Sequence, residues 1–240
     1  LHPRVRRQRQ MCIRDRLYGI GVGPGDPELL TLKALRLIKE ADVIALPGEA
    51  PKETVAYKIV EGAYKEISEK VLLPVHMPMT KDPELLEKYH DEGAVLIKKE
   101  LDKGKNVAFL TLGDPTVYST YIYVHKRIKE MGYPTEIVSG ITSFCAVSAK
   151  LNTGLVEKAQ MLHVIPASYQ VEEALKFPGT KVFMKAGKKM KKVKEAILSS
   201  GACGMMVENC GMPEEKIYRS VEEIPDTAGY YSLIIVEEGE

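Results

Sequence analysis

Twice in this chain an apolar run ends in the same three residues, Gly-Asp-Pro, and a helical pattern follows. The first instance is Leu17-Tyr18-Gly19-Ile20-Gly21-Val22-Gly23-Pro24-Gly25-Asp26-Pro27, the second Asn106-Val107-Ala108-Phe109-Leu110-Thr111-Leu112-Gly113-Asp114-Pro115. Each reads as a buried strand, a tight glycine turn, an Asp N-cap and a Pro at the first helical position. In open α/β sheets ligands bind where strands end and helices begin, so the two corners are candidates to face one ligand.

The remaining pattern alternates in the same way. Strands are predicted at 17–22, 42–46, 68–73 and 106–112, with helices at 27–40, 53–64, 83–102 and 115–131. In 27–40 the stripe Leu29, Leu32, Leu35 and Ile38, widened by Leu30 and Leu37, has helical spacing. After the breakers in Gly132-Tyr133-Pro134 come a strand at 135–138, a helix at 142–150, strands at 160–165, 180–184, 204–208, 215–219 and 230–236, and helices at 170–176 and 189–199. The last strands have no long helix between them, which suggests an antiparallel or mixed sheet. The expectation is an α/β protein of two lobes, 17–133 and 134–240.

The chain has 240 residues, 45 % of them hydrophobic and 28 % charged, ordinary for a globular protein. No apolar stretch has the length of a membrane span. Residues 1–16 hold six arginines and one aspartate, +5 of a total of +1, which leaves the rest of the chain at −4. An acidic body argues against a nucleic-acid partner. Met11-Cys12-Ile13-Arg14-Asp15-Arg16 resembles a translated cloning adapter, and residues 1–16 are expected to be a non-native or disordered leader. Cys12, Cys145, Cys203 and Cys210 form no CxxC pair, which fits free thiols in a cytoplasmic protein. There is no HExxH, and His76, His90, His125 and His163 are widely spaced, so no metal site is expected.

Gly19, Gly21, Gly23 and Gly25 alternate after a strand but do not form a dinucleotide fingerprint. Started at Gly19 the pattern G-x-G-x-x-G ends on Pro24, and started at Gly21 it ends on Asp26. No Gly-Lys-Ser/Thr follows to make a P-loop. A capping carboxylate occupies the place where a helix N-terminus would take a phosphate. The corners therefore suit a ligand with hydroxyls, amides or positive charge.

Gly19 to Thr31 resembles the opening signature of the tetrapyrrole (corrin/porphyrin) methyltransferases. Thr111-Leu112-Gly113-Asp114-Pro115-Thr116-Val117-Tyr118-Ser119 is similar to their second signature, and Val138-Ser139-Gly140-Ile141-Thr142-Ser143 to their third. The likeness runs from Leu17 to the end. Tyr118-Ser119-Thr120-Tyr121 and Ser143-Phe144-Cys145-Ala146 point to the branch that methylates C(20) of precorrin-2 or of its cobalt form in cobalamin synthesis. Rivals inside the family act on another corrin ring carbon, on uroporphyrinogen III or, as diphthine synthase does, on a protein side chain.

The resemblance implies two α/β lobes with the active site in the cleft between them, a homodimer, and S-adenosylmethionine as methyl donor, released as S-adenosylhomocysteine. Donor contacts carry over to Pro24, Leu112, Gly113, Asp114, Val117, Thr142, Ser143, Ala186 and Cys210, the last where relatives often have Gly. A tetrapyrrole carries carboxylates that Lys and Arg would meet. Lys185 and Lys188, in a basic run with Lys189, Lys191, Lys192 and Lys194, are candidates for that, and Tyr118 and Ser119 are candidates beside the second corner. Pro74-Val75-His76-Met77-Pro78-Met79 is a loop whose methionines suit a macrocycle face. The sulfonium donor is already activated, so no nucleophile triad is needed. His90, His125, Asp114 and Tyr118 are the groups available to take a proton from the methylated carbon, and none is assigned that role.

Overall fold

The computed structural model describes residues 15–78, 80, 82–166 and 171–237; the side chain of Lys188 lies outside that description, as do residues 1–14, most of the expected leader, and Met79. The chain divides into two compact units. One comprises the residues up to Val22 together with Thr31–Gly140, the other Gly23–Leu30 together with the residues from Ile141 onward.

The first unit is built on five parallel strands: β1 (Leu17–Gly21), β2 (Val43–Pro47), β3 (Val71–Val75), β4 (Val107–Thr111) and β5 (Thr135–Val138), in the order β3-β2-β4-β1-β5. Its helices are α1 (Leu32–Glu40), α2 (Val55–Ala63), α3 (Pro83–Leu101) and α4 (Tyr121–Glu130). All five residues of β1 are buried, as are Val107 to Leu110 of β4. Continuous apolar runs are what a parallel sheet covered on both faces requires. Pro74 interrupts β3, and β3 is an edge strand, where a missing N–H is tolerated. From β1 the chain continues to β2, on one side of β4, whereas α4 leads to β5 on the far side of β1. The carboxyl ends of β1 and β4 therefore lie side by side where the winding reverses, the place such sheets use for ligands.

The second unit contains α5 (Ser143–Leu151), β6 (Leu162–Pro166), α6 (Val171–Ala174), β7 (Thr180–Met184), α7 (Met190–Ser200), β8 (Cys203–Glu208), β9 (Lys216–Tyr218) and β10 (Ser232–Glu237). Its sheet runs β6-β7-β10-β8-β9, parallel only between β6 and β7. This is the mixed sheet expected from closely spaced strands. One face packs Phe183, Ile234 and Val236 against Met190, Val193 and Ile197 of α7. The other packs Val182, Val207, Leu233 and Ile235 against Ala146, Val147 and Leu151 of α5, with Leu29 of the first corner alongside.

Four expectations are corrected. The break placed at residue 133 falls inside the first unit, because β5 pairs in register with β1, Leu17 opposite Thr135. The helix expected over 27–40 is a short 3-10 turn, Pro27–Leu29, followed by α1. Asp26 caps only the turn, and Thr31 starts α1 by accepting the Ala34 N–H at 3.2 Å. Because α1 begins there, its buried stripe is Ala34, Leu37 and Ile38, while Leu32 is 86 % exposed. The helix expected from 115 begins at Tyr121. Arg16, included in the expected leader, is joined to the first sheet: it pairs with Glu136 at 3.1 Å, and its carbonyl accepts the Val107 N–H.

Candidate functional site

In the first unit the candidate residues sit where β1 and β4 end. Gly21, Gly113 and Gly140 bring three backbones into contact there. A Cβ on Gly21 would stand 2.5 Å from the Gly113 carbonyl oxygen and 2.6 Å from the Gly140 nitrogen, and a Cβ on Gly140 would collide with the same carbonyl. Side chains cannot enter such a junction, so three chain segments are held at main-chain distance. Gly19 answers a different neighbour: the Tyr121 ring of α4 occupies the space its Cβ would need.

Asp114 closes the junction. It is 7 % exposed, and it caps no helix. Oδ1 accepts the Thr116 N–H at 2.8 Å and the Thr116 hydroxyl at 2.5 Å, and Oδ2 accepts the Gly140 N–H at 3.0 Å. The carboxylate ties the loop after β4 to the end of β5, which replaces the helix-cap role expected of it. With these three bonds satisfied it is poorly placed to act as a base. Leu112 and Val117 are half-buried in the same loop, and the Val117 N–H donates to the Asp114 carbonyl at 3.2 Å. Ser119 is structural: its hydroxyl lies 2.8 Å from Thr111 Oγ1 and accepts the Tyr121 N–H at 3.2 Å. Tyr118, between Val117 and Ser119, is 49 % exposed with φ of 50°. That conformation costs a bulky side chain about 1–3 kcal/mol.

The second unit holds the other candidates. Pro24 is buried, and the Gly25 Cα packs so closely on the Cys210 carbonyl that a Cβ would collide with it. A Cβ on Gly211 would lie 2.5 Å from the Asp26 nitrogen. The first corner and the Cys210-Gly211 turn are thus paired main chain to main chain. The Cys210 thiol points into the core with Ala146, Val147 and Leu233. Burial, helped by Glu215, pushes it up to about 11. Ala186 is buried in the opposite core face, and Gly187 after it packs on the carbonyls of Ala228 and Gly229. Lys185 is exposed at φ of 60°, its ammonium 5.8 Å from the Tyr230 ring centroid. In the basic run, Lys194 donates to the carbonyls of Glu222 and Ile224, and Lys192 pairs with Glu172 at 3.0 Å.

Sequence reasoning missed Glu208. Its carboxylate accepts the Gly229 N–H at 2.5 Å, and Tyr231 O accepts the Asn209 N–H at 3.0 Å, so the segment before β10 is strapped to the end of β8. The only sequence signal was a small Ala228-Gly229 pair before a strand.

Thr142 stands at the N-cap of α5 without capping it. Its hydroxyl oxygen is enclosed and has no hydrogen-bond partner among the described residues. A buried hydroxyl left unpaired is destabilising by about 1–3 kcal/mol, so the position fits a ligand that supplies the missing partner. Ser143 beside it is half-buried.

Two of the four groups available to take a proton, His90 and His125, are placed elsewhere in the first unit. His90 is buried and stacked on Tyr123, ring centroids 4.6 Å apart, and burial followed by Arg127 holds it below the usual histidine range. His125 Nδ1 lies 3.1 Å from the Tyr121 hydroxyl, and burial lowers it too. Met77 packs against the core of the first unit. Among the described residues no three His, Cys, Asp or Glu are grouped to hold a metal ion, and no helix is long and apolar enough to cross a membrane.

Residues 16–225 match the model of the tetrapyrrole (corrin/porphyrin) methylases. The chain belongs to that family. Its members are S-adenosylmethionine-dependent methyltransferases, and all three expected signatures lie inside the matched span. It is 40 % identical over 171 residues to the probable cobalt-precorrin-2 C(20)-methyltransferase of Methanocaldococcus jannaschii, covering 71 % of this chain and 72 % of that one. With the cobalt-precorrin-2 C(20)-methyltransferase of Salmonella typhimurium it shares 31 % over 234 residues, 93 % and 97 % of the two chains. The cobalamin biosynthesis protein CobIJ of Mycobacterium tuberculosis is 34 % identical over 240 residues; the match takes in 95 % of this chain but only 47 % of that protein, so the chain spans about half its length. The fold is shared with a uroporphyrin-III C-methyltransferase from Thermus thermophilus solved in complex with S-adenosylhomocysteine, at a TM-score of 0.68 and 23 % identity, covering 93 % and 97 % of the two chains.

Proposed function

We propose that this chain methylates C(20) of precorrin-2 or of its cobalt-containing form, using S-adenosylmethionine, as a step of cobalamin synthesis. The observation that carries the ring position is the likeness to relatives named for that reaction, over 71 % of this chain for one and 93 % for the other. Support for the donor comes from the enclosed, unpartnered hydroxyl of Thr142 and from the main-chain junctions at Gly21–Gly113–Gly140 and Gly25–Cys210–Gly211. Tight glycine turns of this kind leave room for the adenine ring and ribose of the donor to lie against main chain.

When bound, the sulfonium supplies a methyl group for in-line displacement by an electron-rich ring carbon. The chain's part is positioning, an effect on the order of 7–11 kcal/mol in favourable cases. Asp114 fixes the loop 112–116 against Gly140, Thr142 donates or accepts at the donor's polar edge, and Glu208 holds the Gly229 segment. Lys185 and Lys188 are assigned to substrate carboxylates. A homodimer in the cytoplasm belongs to the same reading.

The test is an oxygen-free incubation of the protein with S-adenosylmethionine and either precorrin-2 or cobalt-factor II, followed by mass spectrometry and by isotope-labelled NMR of the new methyl. One methyl at C(20) is the expected result, and the preferred substrate sets the metal question. A methyl at another ring carbon transfers the chain to a different branch of the family. No methyl on either compound, with the donor bound, removes the corrin acceptor.

A further inference from the structure

We propose that His90 makes the seam between α3 and α4 an acid-sensitive joint: a proton on its ring loosens these two helices while the second unit stays closed. His90 is 4 % exposed and lies face to face with the Tyr123 ring of α4, centroids 4.6 Å apart and planes 9° from parallel. Its Nδ1 is enclosed and has no hydrogen-bond partner among the described residues. A neutral imidazole tolerates this, because one of its nitrogens carries no proton. An imidazolium has two N–H donors, and here one of them would be enclosed without an acceptor. The helix has little slack on the sheet side. A Cβ on Gly93, three residues along α3, would stand 2.8 Å from Val75 Cγ1 and 3.3 Å from Met77 Cε, so α3 is already pressed against the end of β3.

The charges around the ring come from both helices. Arg127 of α4 is tied to Glu87 and Asp91 of α3, and both acids are largely exposed. Burial, then Arg127, opposes a cation at His90; Glu87 and Asp91 favour one, and the balance holds the ring below the usual histidine range. On the β3 side His76 meets the Tyr89 ring and pairs with Glu49 at 3.2 Å. On α4, His125 lies beside Tyr121, with Lys129 also acting on it. A ring that binds its proton less well in the closed seam than in the open one favours opening as pH falls below about 6.5, by up to about tenfold for each pH unit. The acids bridging to Arg127 take up protons only near pH 4, at about their ordinary values. The seam therefore yields first through His90. Because α3 is entered from the carboxyl end of β3, the joint supports one end of the rim that parallel sheets use for ligands.

Hydrogen exchange of the full chain, read by mass spectrometry at pH 7.5 and 5.5 and corrected for intrinsic rates, tests this. Wild type is compared with His90→Phe and His90→Gln, neither of which can take the proton, and with His125→Gln. In wild type, peptides from 83–101 and 121–130 should open about three- to tenfold more readily at pH 5.5, with peptides from α5 and α7 unchanged. Both His90 variants should lose that difference, and His125→Gln should keep it. Should Phe prove too large for the seam, the Gln variant carries the comparison. An acid response that persists in the His90 variants, vanishes in His125→Gln or spreads equally to α5 and α7 overturns the joint. So does a His90 ring that titrates at or above about 6.5 by NMR.

Discussion

Asp114 Oδ2 accepts the backbone N–H of Gly140 across 26 residues of sequence, at 3.0 Å, while its other oxygen is occupied by Thr116. The bond joins the loop after β4 to the second residue beyond β5, and it makes the second Gly-Asp-Pro a clamp.

Asp114→Asn replaces one acceptor oxygen with a donor, so either Thr116 or Gly140 is left facing an N–H. Bonds to a charged acceptor contribute about 1.5–3 kcal/mol, and an orphaned N–H adds to the loss. Expected are an unfolding temperature lower by about 5–10 °C in calorimetry and S-adenosylmethionine binding weaker by about tenfold, or 1.4 kcal/mol. A change near 1 kcal/mol with intact donor binding would describe an ordinary helix cap instead.

Gly19 and Gly140 both exclude a Cβ, but for different reasons. At Gly19 the obstacle is a side chain, the Tyr121 ring; at Gly140 it is the carbonyl of Gly113 and the main chain of Gly21. Gly19→Ala and Gly140→Ala should each be destabilising by more than about 4 kcal/mol, at the diagnostic end of single substitutions. Adding Tyr121→Ala should recover soluble, folded protein for Gly19→Ala, whereas no side-chain trimming should recover Gly140→Ala. Solubility and circular dichroism of the single and paired variants decide it.

The thiols should separate by reactivity. Cys145 and Cys203 are exposed, and Cys210 is buried with its pKa pushed up to about 11. Only the thiolate reacts, so at pH 8 Cys210 carries about a hundredfold less of the reactive form than an ordinary thiol at 9. Alkylation of native protein followed by peptide mapping should label Cys145 and Cys203 within minutes and Cys210 only after denaturation. Equal labelling of all three would show that the Cys210 turn opens readily.

Glu136 receives Lys33 at 2.7 Å and Arg16 at 3.1 Å, and these two cations, Lys33 foremost, hold its carboxyl below the usual range. A depressed carboxylate stabilises the fold above its unfolded pKa and loses that contribution as pH falls. Glu136→Gln should therefore be less stable than wild type at pH 7 by up to about 1 kcal/mol, given the partial exposure of the pair. The difference should shrink as pH drops below about 4. Urea unfolding of the two proteins at pH 7 and pH 3.5 tests the sign. A difference that grows toward acid contradicts the pairing.

Much of the architecture was legible because strands buried on both faces are written as unbroken apolar runs. Val107 to Leu110 cannot be mistaken for a surface segment, whereas Pro74 and Val75, expected in a loop, complete the edge strand β3. The glycines were legible as a pattern but not as a purpose. Nothing in the spacing of Gly19 and Gly21 says that one makes room for a ring and the other for two backbones. The start of α4 was misplaced by six residues because an Asp before a Pro reads locally as a cap, and the competing acceptor role depends on Gly140, far away in sequence. Leu32 was assigned to a buried stripe because helical phase was counted from Leu29, whereas Thr31 resets it. Ser119 and Glu208 had no local signal, since their partners are set by tertiary structure alone.

The first corner leaves one unit at Val22, packs its residues 23–30 into the other, and returns at Thr31. No single cut of the chain therefore separates the two. A fragment running through Gly140 carries eight residues that have lost their cradle, and a fragment starting at Ile141 lacks Leu29 from its core and leaves the Cys210-Gly211 turn without the Gly25 main chain it packs on. Each half would have to be written with a piece of the other in the middle, so a ribosome that has finished the first sheet has not yet made the residues that 23–30 pack on.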